Sequence, residues 1–175
     1  SSRVSLTASA RLDPHSTYGA ILSPRLGVLL RPADGWTVRM SGGLGYFAPT
    51  PLTEETEAVG LTRLTTFVKG DPERAQSYSA DLSRVAGGVE VNLSAFGSRV
   101  TNTRVVSDLG LLTKTYALVA LPAPTNTFGG EAMVKTRLRD INLVASYTYV
   151  HATEPDAVSA VRRDVALTPR HSTGI

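Results

Sequence analysis

No cysteine occurs among the 175 residues. Its absence excludes a disulfide framework and a thiolate metal centre. An excess of one charge is missing too. Eighteen Lys and Arg stand against 15 Asp and Glu, a formal net charge of +3. These charges are scattered along the chain. A nucleic-acid footprint gathers its basic residues on one face or helix, so nucleic acid is not expected as a partner. Aromatic residues are few, at 6%. No apolar run approaches the ~20 residues of a membrane helix, and the mean hydropathy is −0.01. That excludes membrane helices but not membrane strands, which are apolar only at alternate positions. No secretory leader is read, because Ser1 to Leu12 already has the pattern of a strand. The sequence is therefore expected to be a mature protein or a piece of a longer one.

What is present is a two-residue rhythm. In RVSLTASARL, residues Val4, Leu6, Ala8, Ala10 and Leu12 share one face, and Arg3, Ser5, Thr7, Ser9 and Arg11 the other. WTVRMSGGLGYF places Trp36, Val38, Met40, Leu44 and Tyr46 together, against Thr37, Arg39 and Ser41. INLVASYTYV repeats the pattern with Ile141, Leu143, Ala145, Tyr147 and Tyr149. Successive side chains leave a pleated strand on opposite sides, so period two means β-structure.

The rhythm predicts about eight strands, at roughly 2–12, 22–31, 36–47, 74–86, 89–105, 117–138, 141–152 and 162–175. Pro32-Ala33-Asp34-Gly35, Ala86-Gly87-Gly88 and Arg139-Asp140 read as tight turns. Longer links are expected near 13–21, 48–73, 106–116 and 153–161. The link from Ala48 to Glu73 carries Pro49, Pro51 and Pro72, which bar it from a central strand. Phase changes after Ala95, which points to a bulge at Gly97. No long helix and no sequence repeat beyond the hairpin rhythm is read.

A soluble sandwich also keeps one uncharged face per strand. Several runs, however, exceed the globular average of about five or six residues. Short turns at one end and long links at the other are the layout of an outer-membrane barrel. Trp36 sits near one strand end, with Tyr46 and Tyr149 near the opposite ends, where interfacial aromatics belong. The expected fold is therefore all-β: antiparallel, up-and-down transmembrane β-barrel strands, about eight of a larger barrel. The alternatives are a complete small eight-stranded outer-membrane barrel (anchor or adhesin) and a soluble β-sandwich binding module.

SPRLGVLLRPADGWTVRMSGGLGYFAPT (Ser23 to Thr50) resembles the barrel of TonB-dependent outer-membrane receptors. PERAQSYSADLSR (Pro72 to Arg84), VNLSAFGSRVTN (Val91 to Asn102), TNTFGGE (Thr125 to Glu131), ASYTYVHA (Ala145 to Ala152) and VALTPRH (Val165 to His171) are similar to further passages of that family, in the same order. One departure is that Ala80-Asp81 stands near the place where the family usually has a glutamate. The resemblance implies a barrel of about 22 strands around a plug, in the bacterial outer membrane. It implies import of a scarce nutrient, such as an iron-siderophore chelate or cobalamin, driven through the TonB energy-coupling protein. Residues 1–175 would be an interior to late part of that barrel, about a third of its strands, without the plug domain. The implied partners are the lipid bilayer, the plug, TonB and a small-molecule chelate. No enzymatic activity and no cofactor are expected.

Candidate ligand contacts are loop residues: Phe47, Arg63 and Phe67, with His15 and His151 at the long-link end. Two imidazoles with this spacing do not make a zinc site, which needs three or four ligands. The Glu54–Glu55 pair could serve acid–base chemistry only in a pocket that separates their pKa values, and a proline-rich link is expected to leave them solvated. Gly43 to Ala48 matches G-x-G-x-x-A, but a phosphate cradle needs a helix to begin there, and prolines follow instead. No serine sits in a G-x-S-x-G elbow. Asn92-Leu93-Ser94 is a glycosylation sequon by string alone, set in mid-strand. His171, beside Pro169 and Arg170, reads as structural. Arg3, Arg11, Arg25, Arg31, Arg39, Arg137, Lys135, Glu90, Glu131 and Asp81 all fall on the polar parity. In a barrel that parity faces the lumen, where these charges would meet plug carboxylates or an anionic chelate.

Overall fold

The computed structural model describes residues 3–65, 70–109, 115–157, 159 and 161–175. Its main body is a nine-stranded antiparallel sheet. β1 (Val4–His15), β2 (Gly19–Leu30), β3 (Trp36–Phe47), β4 (Glu73–Ala86) and β5 (Val89–Thr101) lie side by side in chain order. An excursion follows as a separate hairpin, β6 (Arg104–Asp108) with β7 (Tyr116–Ala120). The chain then re-enters the sheet beside β5 as β8 (Thr125–Leu138) and continues to β9 (Ile141–Pro155). Two short strands, β10 (Arg162–Asp164) and β11 (His171–Gly174), both pair with β9.

Several expected boundaries moved, each for a local reason. The strand expected over 117–138 is interrupted between Ala120 and Thr125, where Pro122 and Pro124 cannot donate to a ladder. The strand expected over 89–105 stops at Thr101, and Asn102 turns the chain with φ of 60°. The link expected over 13–21 shrinks to residues 16–18, because β1 and β2 stay paired up to His15 opposite Gly19. The strand expected over 162–175 is looped out in the middle. Val165 N–H donates to the Ala152 carbonyl and Val150 N–H to the Arg170 carbonyl, so residues 166–169 stand where one residue would suffice. Leu167 has φ of 58° in that loop. No bulge forms at Gly97, since both ladders run through it without a break. The glycine makes room instead: a Cβ there would lie 2.5 Å from the Tyr78 ring.

Turn chemistry sets the register. Gly87 and Gly88 have φ of 57° and 80°, the paired left-handed geometry that matches the twist of a two-residue hairpin. Gly35, at φ 75°, accepts from Val85 N–H at 2.8 Å, and any Cβ on it would strike the Val85 carbonyl. Arg139 takes φ of 54° without being glycine. Pro24 limits one seam. The β2–β3 ladder runs from Leu30↔Val38 to Arg25↔Gly43 and ends where Pro24 has no N–H to give.

These registers carry the alternation across strands as rows. One row reads Val38, Leu82, Leu93, Ala132, Tyr147, and the next Met40, Ala80, Ala95, Gly130, Tyr149. Displaced by one residue, the opposite face reads Arg39, Asp81, Ser94, Glu131, Thr148. The apolar face is the exposed one: Leu6 is 68% exposed, Tyr78 62% and Leu93 47%. Asp81, Asn92 and Ser94 on the polar face are half-buried. A soluble domain has the reverse arrangement, with its apolar face inside. Among the described residues the buried apolar side chains are few: Ile21, Leu121 and two prolines, Pro72 and Pro155. The sandwich alternative needs a second sheet over the apolar face, and the closed eight-stranded barrel needs β1 to meet a strand other than β2. Neither pairing is present among the described residues.

Candidate lumenal wall and loop cap

The polar face is knitted by side chains of neighbouring strands. Ser94 Oγ donates to Asp81 Oδ1 at 2.7 Å, and Asn92 Nδ2 donates to Ser83 Oγ at 2.9 Å. The Ser41 and Ser79 hydroxyls lie 3.0 Å apart, and Thr148 Oγ1 donates to Glu131 Oε2 at 3.2 Å. Arg39 stands opposite Asp81, and Glu90 opposite Lys135. Arg11 Nε meets Asp13 at 2.7 Å on the same face. All the charged strand residues expected on this parity share it. Such a wall offers donors and acceptors to water or to a polar surface packed against it.

The long links at one end of this wall fold together. Thr53 caps a short helix, α1 (Glu54–Val59). Its hydroxyl accepts from Thr56 N–H at 3.2 Å, and Thr56 Oγ1 accepts from Thr53 N–H at 2.9 Å. Thr56 is fully buried and also donates to the Pro51 carbonyl at 2.7 Å. A 3₁₀ turn, Leu61–Arg63, follows. Leu64 then bridges to Tyr116 on β7, and Thr65 N–H donates to the Tyr116 carbonyl at 2.8 Å. Asn102 Nδ2 donates to the Pro72 carbonyl at 3.1 Å, and Glu73 Oε1 accepts from Arg104 N–H at 3.1 Å. The β3–β4 link and the β6–β7 excursion are thereby joined. Pro51, Leu52, Leu61, Leu64, Thr65 and Leu118 line an apolar recess of about 270 Å³ between them.

The predicted contact residues are only partly brought together. Phe47 ends β3 on the polar face, half-exposed, opposite Glu73. Arg63 is exposed on the 3₁₀ turn beside the recess-lining Leu61 and Leu64. Phe67 lies outside the described residues. His15 is on the polar face, its ring tilted against Tyr18 with centroids 4.8 Å apart, and its Nδ1 accepts from Thr17 N–H. His151 is at the same end but on the outward, apolar face, 5.0 Å from the Phe128 ring and 4.0 Å from Asp164. The two imidazoles therefore do not share a site. Glu54 is exposed on α1. Among the described residues no group of three or more His, Asp or Glu is arranged to hold a metal ion.

Two features were not anticipated from the sequence. An outward aromatic cluster joins Phe128, Tyr147, Tyr149, His151 and His171, and the Tyr147 hydroxyl lies 2.7 Å from His171 Nδ1. The signal was available, since the parity of Tyr147 and Tyr149 continues to His151. Arginines also occupy the apolar parity near the strand ends: Arg84 at the tight-turn end, Arg74 and Arg99 at the loop end.

A family model described as TonB dependent receptor-like, beta-barrel matches residues 1–175. Among solved structures, the chain resembles the FrpB iron transporter (F3-3 variant) from Neisseria meningitidis, with TM-score 0.70 and 16% identity over 90% of this chain and 25% of that one. It resembles the siderophore receptor PirA from Pseudomonas aeruginosa, with TM-score 0.69 and 19% identity over 87% of this chain and 31% of that one. It also resembles the copper transporter OprC, with TM-score 0.63 and 16% identity over 87% of this chain and 26% of that one. No curated protein matches. The chain thus spans about a quarter to a third of the length of the solved structures it resembles.

Proposed function

This chain belongs to the TonB-dependent receptor β-barrel family, and from that premise we propose that it forms part of the wall and loop cap of an outer-membrane importer for a metal chelate. The observation that carries the reading is the inverted amphipathicity of the sheet. A polar, hydrogen-bonded face lines the lumen, and an exposed apolar face meets lipid. The wall then has two tasks. Its lipid face supplies the apolar band, and its lumenal rows, Arg39–Asp81 among them, meet a plug domain moved by TonB. The loop cap supplies the first contacts with ligand. Phe47 and Arg63 are assigned to those contacts, and the apolar recess beside Leu61 and Leu64 takes the organic part of a chelate. Arg63 supplies attraction for an anionic complex. His15, at the same end, is a further contact, and Phe67 is another on the sequence alone. An iron-siderophore chelate is the substrate class supported best, by the names of the FrpB and PirA relatives.

The test is uptake by the full receptor. Cells carrying it should take up a labelled ferric siderophore only when energy coupling is intact. R63E in the loop cap should weaken binding of an anionic chelate about tenfold while leaving assembly unchanged. Uptake that survives loss of energy coupling would overturn the importer reading.

A further inference from the structure

The apolar face is not uncharged along its whole height, and its exceptions are ordered. Arg84 sits at the tight-turn end with its guanidinium 4.6 Å over the Trp36 ring. Arg74 sits at the other end of the same strand, ten residues away. Ten residues of strand span ~34 Å. Tilted by ~40°, that is ~26 Å along the membrane normal, close to the ~25 Å apolar band of outer-membrane barrels. The outward residues between the two arginines are Gln76, Tyr78, Ala80 and Leu82. The arginines therefore mark the two edges of the band.

The outer edge differs from the inner one. Arg74 and Arg99 are diagonal neighbours there, since Arg74 pairs with Thr101 and Arg99 with Gln76. Their Cα atoms are about 7–8 Å apart. Both side chains are exposed, and among the described residues neither guanidinium has a carboxylate, hydrogen-bond or aromatic partner. Glu73, next in sequence, lies on the opposite face and accepts from Arg104 N–H. The neighbours on their own face are neutral and polar: Gln76, Thr101, Asn126 and Tyr46.

We propose that Arg74 and Arg99, with Gln76 and Asn126 beside them, form a binding site on the outside of the barrel for the phosphate-bearing headgroup of an outer-leaflet lipid. Two guanidinium forks within reach of one another suit phosphoryl oxygens, which accept in a bidentate manner. The flanking amides supply donors for the remaining oxygens. Asp164 shares the row of Arg99 and Asn126 on this face but stands three strands away, paired with Arg170 at 2.6 Å. The headgroup therefore supplies the counter-charge that no carboxylate provides within reach of Arg74 and Arg99. At the inner edge an aromatic ring takes that place. The inference rests on the outer-membrane reading. If that reading fails, the wild-type receptor does not assemble in lipid at all, which is a separate outcome.

The experiment uses the full receptor in mild detergent, with bound lipids counted by native mass spectrometry. The probes are diphosphoryl lipid A and the same lipid with its phosphates removed. Wild type should prefer the diphosphoryl form, with about a fivefold contribution from each arginine. R74Q/R99Q should lose that preference, and R84Q at the opposite edge should keep it. Inorganic phosphate at equal concentration should not displace the lipid. Heat-modifiable gel migration reports whether each variant is assembled, and R99Q alone serves if the double variant is not. Undiminished preference in assembled R74Q/R99Q or R99Q, equal loss in R84Q, or displacement by free phosphate would each overturn the proposal.

Discussion

The orientation of the sheet predicts opposite costs for one charge placed at two positions on the same strand. Ala80 and Ser77 both lie in the middle third of β4, but on opposite faces. Ala80 belongs to the row with Met40 and Ala95, within the outward band bracketed by Arg74 and Arg84. A80R would set a guanidinium close to the midplane of that band. The cost there is about 2–4 kcal/mol. A central ~3 kcal/mol corresponds to a shift of roughly 150-fold in the folding equilibrium. S77R adds the same side chain to the lumenal face. Gly43 stands opposite on β3, and no side-chain hydrogen bond of Ser77 is lost. Its cost should stay within about 0.5 kcal/mol. The assay is equilibrium urea unfolding of the full receptor in phospholipid vesicles, followed by tryptophan fluorescence. A cost for S77R equal to or above that for A80R would refute the assignment of faces.

Three further outcomes follow from local geometry. Arg139 holds φ of 54° in the β8–β9 turn, so R139G should raise stability by about 1 kcal/mol, read in the same unfolding assay. G97A places a methyl group against the Tyr78 ring and should cost about 1–3 kcal/mol. Y78A should relieve most of that cost, and a double-mutant cycle measures the coupling. T53A removes the hydroxyl that caps α1. It should destabilise the loop cap by about 1 kcal/mol without changing barrel assembly, seen as faster amide exchange at Thr56 and Glu57.

Strand identity was legible wherever the period of two ran unbroken. β3 was read with the bounds it has, because Trp36 to Phe47 alternates cleanly between a PADG turn and a proline-rich link. Boundaries slipped where backbone chemistry overrode side-chain pattern. Pro122 and Pro124 cut one run, and the left-handed Asn102 ended another. The phase change after Ala95 looked like a bulge because Val100 falls on the lumenal parity. The unbroken ladders leave it there, with Phe96 on the same face over Gly129, whose missing side chain gives that ring space. Of the site, the polar wall was legible, since it is the other half of the alternation. The loop cap was not, because the contact of Leu64 with Tyr116 joins segments some fifty residues apart with no periodic signal. His15 and His151 were grouped by height alone. Parity, followed through each register, separates them onto opposite faces.

The claim that the apolar face meets lipid and the polar face meets lumenal water is tested most directly by spin-label accessibility along β5. This segment has no cysteine, so substitutions at Asn92, Leu93, Ser94, Ala95 and Ser98 in the full receptor each introduce one thiol here. In vesicles, labels at positions 93 and 95 should collide with dissolved oxygen, which concentrates in lipid. Labels at 92, 94 and 98 should collide with a water-soluble nickel chelate or be shielded from both. The opposite phase, or no alternation, would contradict the account.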